Sequence, residues 1–339
     1  MEEGWVVVGL DTGGTCNNAT VLHSSGRFLV DSLVETPSRV LEGPQVAIEA
    51  LAEAFDNVLT LTGVPRQSVK AVGFDTPGPA TADGVISRRG ATNFSALEWH
   101  GFDFRSGLED RLGVPVVYNN DGNAAALYAH HAHFGMIASE RSSVAAIVGT
   151  GLGGGIVESG DVIKGAAGMA GEIGHVHIPL EGLLEQDQPV PECNCGLRGD
   201  AESVASLMGI AKNLLPYWLG RYPDHPLAGL PIVTAAKQVR AYAERGDELA
   251  TKVFEQQAMA LGRLFSLIAN ITDPAAYFLG GGVVETEPQL RTWFLDQVKT
   301  HTSLREEQAE QAVFALVPHL DMAGARGAAI GAVSAVRPF

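Results

Sequence analysis

The sequence predicts an α/β fold of two lobes, with mixed or parallel sheets flanked by helices, and three observations lead there. Apolar runs of strand length alternate with stretches of helical periodicity along nearly the whole chain. A strand, a glycine turn and a second strand at residues 6–22 recur about 140 residues later, which points to two lobes built on one plan. The 339 residues, 46% apolar and 18% charged, suffice to bury two cores.

The formal charge of −16 repels a phosphate backbone and offers no basic stripe. Nucleic acid and anionic membranes are therefore excluded as partners, and a small or neutral ligand is expected. The opening MEEGWVVVGLDTGG has no basic region and soon breaks its apolar run. Neither a secretory signal nor a membrane span is read there, and a cytoplasmic protein is expected. Two of the three cysteines form Cys193-Asn-Cys195, a spacing too tight for an ordinary disulfide framework and better suited to a metal.

In order, residues 5–10 form a β-branched strand that ends at Asp11-Thr-Gly-Gly-Thr15, and an apolar strand resumes at 19–22. Glycine there can present several backbone N–H groups to a phosphate; a plain hairpin turn is the alternative. Residues 45–62 are helical, with Ala47, Leu51, Ala54, Phe55, Val58 and Leu59 on one face, and a buried strand at 69–74 leads into Asp75-Thr-Pro-Gly-Pro79. A short strand at 84–87, a loop at 91–94, the end of a helix at 108–112 and a strand at 114–118 follow. At Asn119-Asn-Asp-Gly-Asn123 a carboxylate stands between that strand and a helix at 124–134, where Asp121 is either a helix cap or a functional acid. His130 and His133 share a face of that helix, read as exposed and polar.

The strand at 143–148 runs into Gly149-Thr-Gly-Leu-Gly-Gly154, a letter-for-letter G-x-G-x-x-G. A dinucleotide loop must open a helix, whereas residues 155–157 continue as a strand, so this is a second glycine turn between strands. No Walker pattern occurs. Helices are expected at 201–215, 233–245, 248–271 and 289–301, with Leu249, Val253, Gln256, Ala260, Leu264, Leu267 and Ile271 on one face of the third. Strands at 277–279 and 312–316 complete the pattern, the former entering Gly280-Gly-Gly282. A last helix at 323–336, rich in Gly and Ala, would let backbone approach closely, as a hinge between lobes requires.

These residues resemble the ROK family of bacterial-type sugar kinases, in the superfamily of actin, hexokinase and Hsp70. The most specific match is Val148-Gly-Thr-Gly-Leu-Gly-Gly-Gly-Ile156 followed by Gly165, Gly171 and Gly174-His175 at permitted intervals. The resemblance implies a two-lobed actin-like ATPase (ribonuclease H-like) fold with the active site in the interlobe cleft. The lobes would be residues 1–118 with 323–339, and 119–322 carrying a metal-binding loop at 175–202. It further implies ATP phosphates against Asp11, Gly13, Gly14, Thr15, Thr150 and Gly151, with adenosine near Gly281 and Gly282. Asp11 would orient Mg²⁺ through water. The sugar would lie against Asn120, Asp121, Glu172, His175 and Glu202, with Gly78 and Asn93 beside them, and Asp121 would be the catalytic base. A homodimer or homotetramer is the usual assembly in the family.

A structural zinc in the family is held by the GH histidine and three cysteines in the pattern C-x-C-G-x-x-G-C-x-E. Here the run is Cys193-Asn-Cys-Gly-Leu-Arg-Gly-Asp-Ala-Glu202, with Asp200 in place of the third cysteine. Zinc accepts carboxylate oxygen, so His175, Cys193, Cys195 and Asp200 remain a tetrahedral set; a vestigial loop held by packing is the alternative. Cys16 stands where many relatives carry lysine, and residues 179–191 are an insertion-like stretch. The expected activity is ATP-dependent transfer of a phosphoryl group to the 6-hydroxyl of glucose or an N-acetylhexosamine. Within the same family, the alternatives are a catalytically weak sugar-binding regulator and a transcriptional repressor, the latter disfavoured because the first strand begins at Trp5.

Overall fold

The computed structural model describes residues 4–78, 80–88 and 93–336. The chain divides into two compact units, one of residues 1–140, 155–171 and 317–339, the other of 141–154 and 172–316. Residues 119–140, with Asp121, thus fall in the first unit.

The first unit is built on strands β1 (Val6–Thr12), β2 (Cys16–His23), β3 (Glu35–Pro37), β4 (Val69–Thr76) and β5 (Val116–Asn120), in the order β3-β2-β1-β4-β5. β1 and β2 form an antiparallel hairpin, whereas β1, β4 and β5 run parallel. Helices α1 (Pro44–Thr62) and α2 (Phe104–Leu112) pack through Leu51, Phe55, Phe104 and Leu108 into a core with Val8, Leu10, Phe74 and Trp99. Helix α3 (Asp121–Phe134) contacts α11 (Leu320–Ala332), which crosses β1 and β4.

The small residues of α11 bring backbone close to the first sheet and α3. A Cβ on Gly73 would overlap the carbonyl oxygen of Ala328, and one on Gly9 that of Ala325. Two expectations are corrected here. His130 is buried, its Nε2 2.8 Å from the carbonyl oxygen of Ala138, so it is not on an exposed face. Residues 84–87 make isolated bridges in place of a strand. The expected loop at 91–94 lies partly outside the described residues.

The second sheet has the order β10-β9-β6-β7-β8, from β6 (Ser142–Val148), β7 (Leu152–Glu158), β8 (Asp161–Val162), β9 (Ala276–Gly280) and β10 (Val313–Leu316). β9 lies parallel to both β6 and β10. The helix expected at 201–215 is broken into α4 (Glu202–Ala205), α5 (Leu207–Gly209), a π-turn and α6 (Leu215–Arg221). Ser206 is the reason: its backbone is extended, and its hydroxyl accepts from Gly209 N–H to start a new turn. Helices α7 (Ile232–Ala243), α8 (Glu248–Thr272), α9 (Pro288–Thr300) and the short α10 (Glu306–Ala309) complete the unit.

The insertion at 179–191 is docked on α8. Arg263 donates to the carbonyls of Pro179 and Glu181, and Gln256 to those of Leu183 and the Gln188 side chain.

Candidate active site

Candidate residues of the first unit gather at the carboxyl ends of β1, β4 and β5, where parallel sheets characteristically carry their sites. Register sets this: Asp11 pairs with Asp75, and Thr76 with Asn120. The β1–β2 turn is closed by Gly13 N–H donating to the Cys16 carbonyl at 2.9 Å. Asn18 donates to Asp11 at 3.2 Å, and the side chain of Asn93 lies against Gly14, where a Cβ would stand 2.7 Å from its oxygen. Gly78 similarly abuts the Asn120 amide. Asn120 rather than Asp121 caps α3, accepting from the N–H groups of Gly122 and Asn123 at 2.9 and 3.4 Å. That leaves Asp121 as the exposed first residue of the helix, its Oδ1 accepting from Gly122 N–H at 2.7 Å.

Asp75 had drawn no role from the sequence. It is fully buried, and no N–H or hydroxyl among the described residues donates to either oxygen; the group that faces it is the Asp11 carboxyl. Burial pushes the Asp75 carboxyl well above the usual range, and the charges of Asp11 and Asp121 add to this. Burial also raises Asp11, against the lowering effect of its bonds to Asp75 and Asn18. The only sequence signal was a charge closing an apolar strand, Val72-Gly-Phe-Asp75.

In the second unit the turn 149–151 joins β6 to β7. Gly149 N–H donates to the Gly151 carbonyl, and the Gly149 and Thr150 carbonyls accept from Leu207 and Met208. Glu202 buttresses the turn: its Oε2 accepts from Leu152 N–H at 2.8 Å and would stand 2.8 Å from any Cβ on Gly151. Gly281, at φ 90°, passes so close to Val148 that a Cβ would overlap the Val148 carbonyl oxygen. A cavity of about 360 Å³ adjoins this turn, lined among others by Thr150, Leu207, Val239, Phe254, Gln257 and Gly282. Its walls are mainly apolar, with Lys237 and Arg240 also bordering it, a lining suited to a small heterocycle.

His175, Cys193, Cys195 and Asp200 converge, one ligand atom from each lying within 4.8 Å of the others. A hairpin bridged at Glu192 and Arg198 presents both thiols, turning at Gly196. The His175 Nδ1 lies 3.3 Å from Asp200 Oδ2, 3.6 Å from Cys195 Sγ and 3.8 Å from Cys193 Sγ. A zinc tetrahedron with bonds near 2.0–2.3 Å has edges of about 3.3–3.8 Å, so these distances fit. The sulfur–sulfur distance of 3.1 Å is shorter than such an edge, yet far too long for a disulfide. Asp200 is fully buried, and Ser203 N–H occupies its Oδ1 at 2.8 Å, leaving Oδ2 to the cluster. Cys193 also donates to Glu202 at 3.2 Å, which ties the cluster to the glycine turn. Glu172, half-buried nearby, is raised chiefly by burial, with the His175 charge opposing and that of Glu202 adding.

The sequence model of the ROK family matches residues 7–334. The chain is 32% identical to the glucokinase of Halalkalibacterium halodurans over 89% of this chain and 86% of that protein. Among solved structures, the ROK hexokinase of Thermus thermophilus aligns with a TM-score of 0.76 at 30% identity, over 98% of this chain and 99% of that one. The ROK family glucokinase of Streptomyces griseus, solved in complex with glucose and AMPPNP, aligns at 0.68 and 27% identity, over 97% and 99%. The two-lobed actin-like ATPase fold follows from these matches.

Proposed function

The chain belongs to the ROK family, and from that premise we propose that it is an ATP-dependent kinase for the 6-hydroxyl of a hexose of the glucose or N-acetylhexosamine class. The observation that carries this reading is the cavity beside the Gly149–Gly151 turn, since an apolar chamber bordering a glycine turn suits a base whose phosphates run toward backbone donors. Adenosine would lie along Gly281 and Gly282, with phosphates toward Thr150 and Gly151 and, on the first unit, toward Asp11, Gly13, Gly14 and Thr15.

Asp121 is the residue for general base. A sugar hydroxyl is a poor nucleophile, and a carboxylate that accepts its proton as the phosphoryl group arrives contributes about 10²–10⁴ in rate. Asn120, Gly78 and Asn93 would line the sugar on the first unit, and Glu172, His175 and Glu202 on the second. Carboxylates suit adjacent hydroxyls because an ionised acceptor makes the stronger hydrogen bond. Asp11, with the buried Asp75 carboxyl beside it, is a hard-oxygen environment that fits Mg²⁺ held through Asp11 and water. Mg²⁺ supplies neutralisation of phosphate charge. His175, Cys193, Cys195 and Asp200 would hold a structural zinc, whose part is to fix the imidazole, the Cys193 thiol giving up on metal binding the proton it otherwise donates to Glu202.

The test is ADP release over a panel of glucose, mannose, N-acetylglucosamine and N-acetylmannosamine with ATP and Mg²⁺, with the phosphorylated carbon identified by NMR. The reading requires sugar-dependent ADP and a 6-phosphate. Tight sugar binding without ADP formation would instead identify a sugar-binding regulator.

A further inference from the structure

Two consecutive asparagines, Asn17 and Asn18, stand near the start of β2, just behind the first glycine turn. Strands seldom carry asparagine, because its side chain offers the backbone competing hydrogen bonds. Each of the two has a partner on β1. Asn17 is fully buried and accepts from the Thr12 hydroxyl at 3.0 Å, which closes the hairpin on one face. Asn18 belongs to the other face, directly opposite Asp11, and its Nδ2 donates to Asp11 Oδ2 at 3.2 Å. The Oδ1 of Asn18 is enclosed and takes no donor among the described residues, so the bond to Asp11 is the one this side chain makes. Helix α11 bounds Asp11 on a second side, where Gly324 carries no side chain and a Cβ would stand 2.9 Å from the same Oδ2. Asn18 and Gly324 together fix the plane of the carboxylate.

We propose that Asn18 is a positioning residue for the cation of the phosphoryl donor, its amide holding the Asp11 carboxylate in the orientation from which it meets a water of Mg²⁺. This role rests on the kinase reading and deepens it, since that reading gives Asp11 the cation but names no residue that orients it. A carboxylate that serves a metal works from a fixed geometry, and removing a group that hydrogen-bonds such a ligand typically costs about 10–100-fold in metal affinity or activity. An amide suits the task because it donates without adding charge, whereas a lysine or arginine there would neutralise the carboxylate and oppose the cation.

The test is calorimetric binding of ADP to the full chain in Mg²⁺ and in EDTA, a readout independent of sugar turnover, for the native protein, Asn18→Leu and Asn18→Ala. The native protein should bind ADP about tenfold or more tightly in Mg²⁺ than in EDTA, and in either variant this gain should fall below about threefold while the affinity in EDTA stays within about twofold of native. An unaltered gain in a folded variant overturns the inference, as does equal weakening with and without Mg²⁺, the mark of a turn merely loosened. The native ratio decides where neither variant folds, since ADP binding indifferent to Mg²⁺ overturns the inference without them. If the native protein neither binds ADP nor releases it with any sugar of the panel, the kinase reading falls with it; if sugar-dependent ADP release is observed and the Mg²⁺ gain is untouched in the variants, only the role of Asn18 falls.

Discussion

At the scale of single residues, the least expected feature is Asp75, a fully buried carboxyl in register with Asp11 and without a donor. Its raised pKa means that the folded state holds a proton that the unfolded chain gives up above about pH 4. The fold therefore loses this contribution as pH rises through that range toward the raised value. An amide can donate to Asp11 without carrying charge, so Asp75→Asn should melt about 2–4 °C above the native protein at pH 7.5 and converge with it near pH 4. Equal melting temperatures at pH 7.5 would contradict this. His130 runs the other way: burial lowers it from the ordinary 6.5 to about 4, so the unfolded chain binds more protons between those values. Stability should fall as pH drops from about 6.5 to 4. His130→Asn should flatten that slope in thermal melts, and an unaltered slope would remove His130 as its source. Neither residue was legible beforehand. Periodicity reports which face a residue occupies, and it placed His130 by its polarity, whereas the buried carbonyl of Ala138 gave the imidazole a partner inside.

Among the elements, the hairpin carrying Cys193 and Cys195 and the glycine turn after β6 are joined through Glu202, which accepts from Cys193 with one oxygen and from Leu152 with the other. Ordering of the hairpin is thereby coupled to the turn proposed to meet the phosphates. One equivalent of zinc is expected in protein purified without chelator. Asp200→Cys should tighten zinc binding, and Asp200→Ala should weaken it by about tenfold or more, measured by competition with a chromogenic chelator. Zinc affinity unaltered in Asp200→Ala would exclude Asp200 as a ligand. The turns and the cluster were visible in the sequence because glycine and cysteine spacing carry geometry directly. The break at Ser206 was not, since a serine within a helical pattern signals a restart only when a later N–H reaches its hydroxyl.

For the whole molecule, the repeated strand–turn–strand plan was legible, and two five-stranded mixed sheets carry it. The close packing of α11 on β1 and β4 is also written in small residues, although its partners could not be read from them. Among the described residues no helix is long and apolar enough to cross a membrane. Candidate residues come from distant segments: Asp11 and Asp75 from two strand ends and Asp121 from the start of α3, and His175 and Glu202 from either side of a docked insertion. Such groupings depend on register and on loop docking, which spacing along the chain does not encode. The central claim, phosphoryl transfer to a sugar hydroxyl with Asp121 as base, is tested most directly by steady-state ADP release with ATP and the best sugar of the panel, for the native protein and for Asp121→Asn. The account predicts kcat lower by about 10²–10⁴ in the variant with the sugar still bound; undiminished kcat in a folded Asp121→Asn would contradict it.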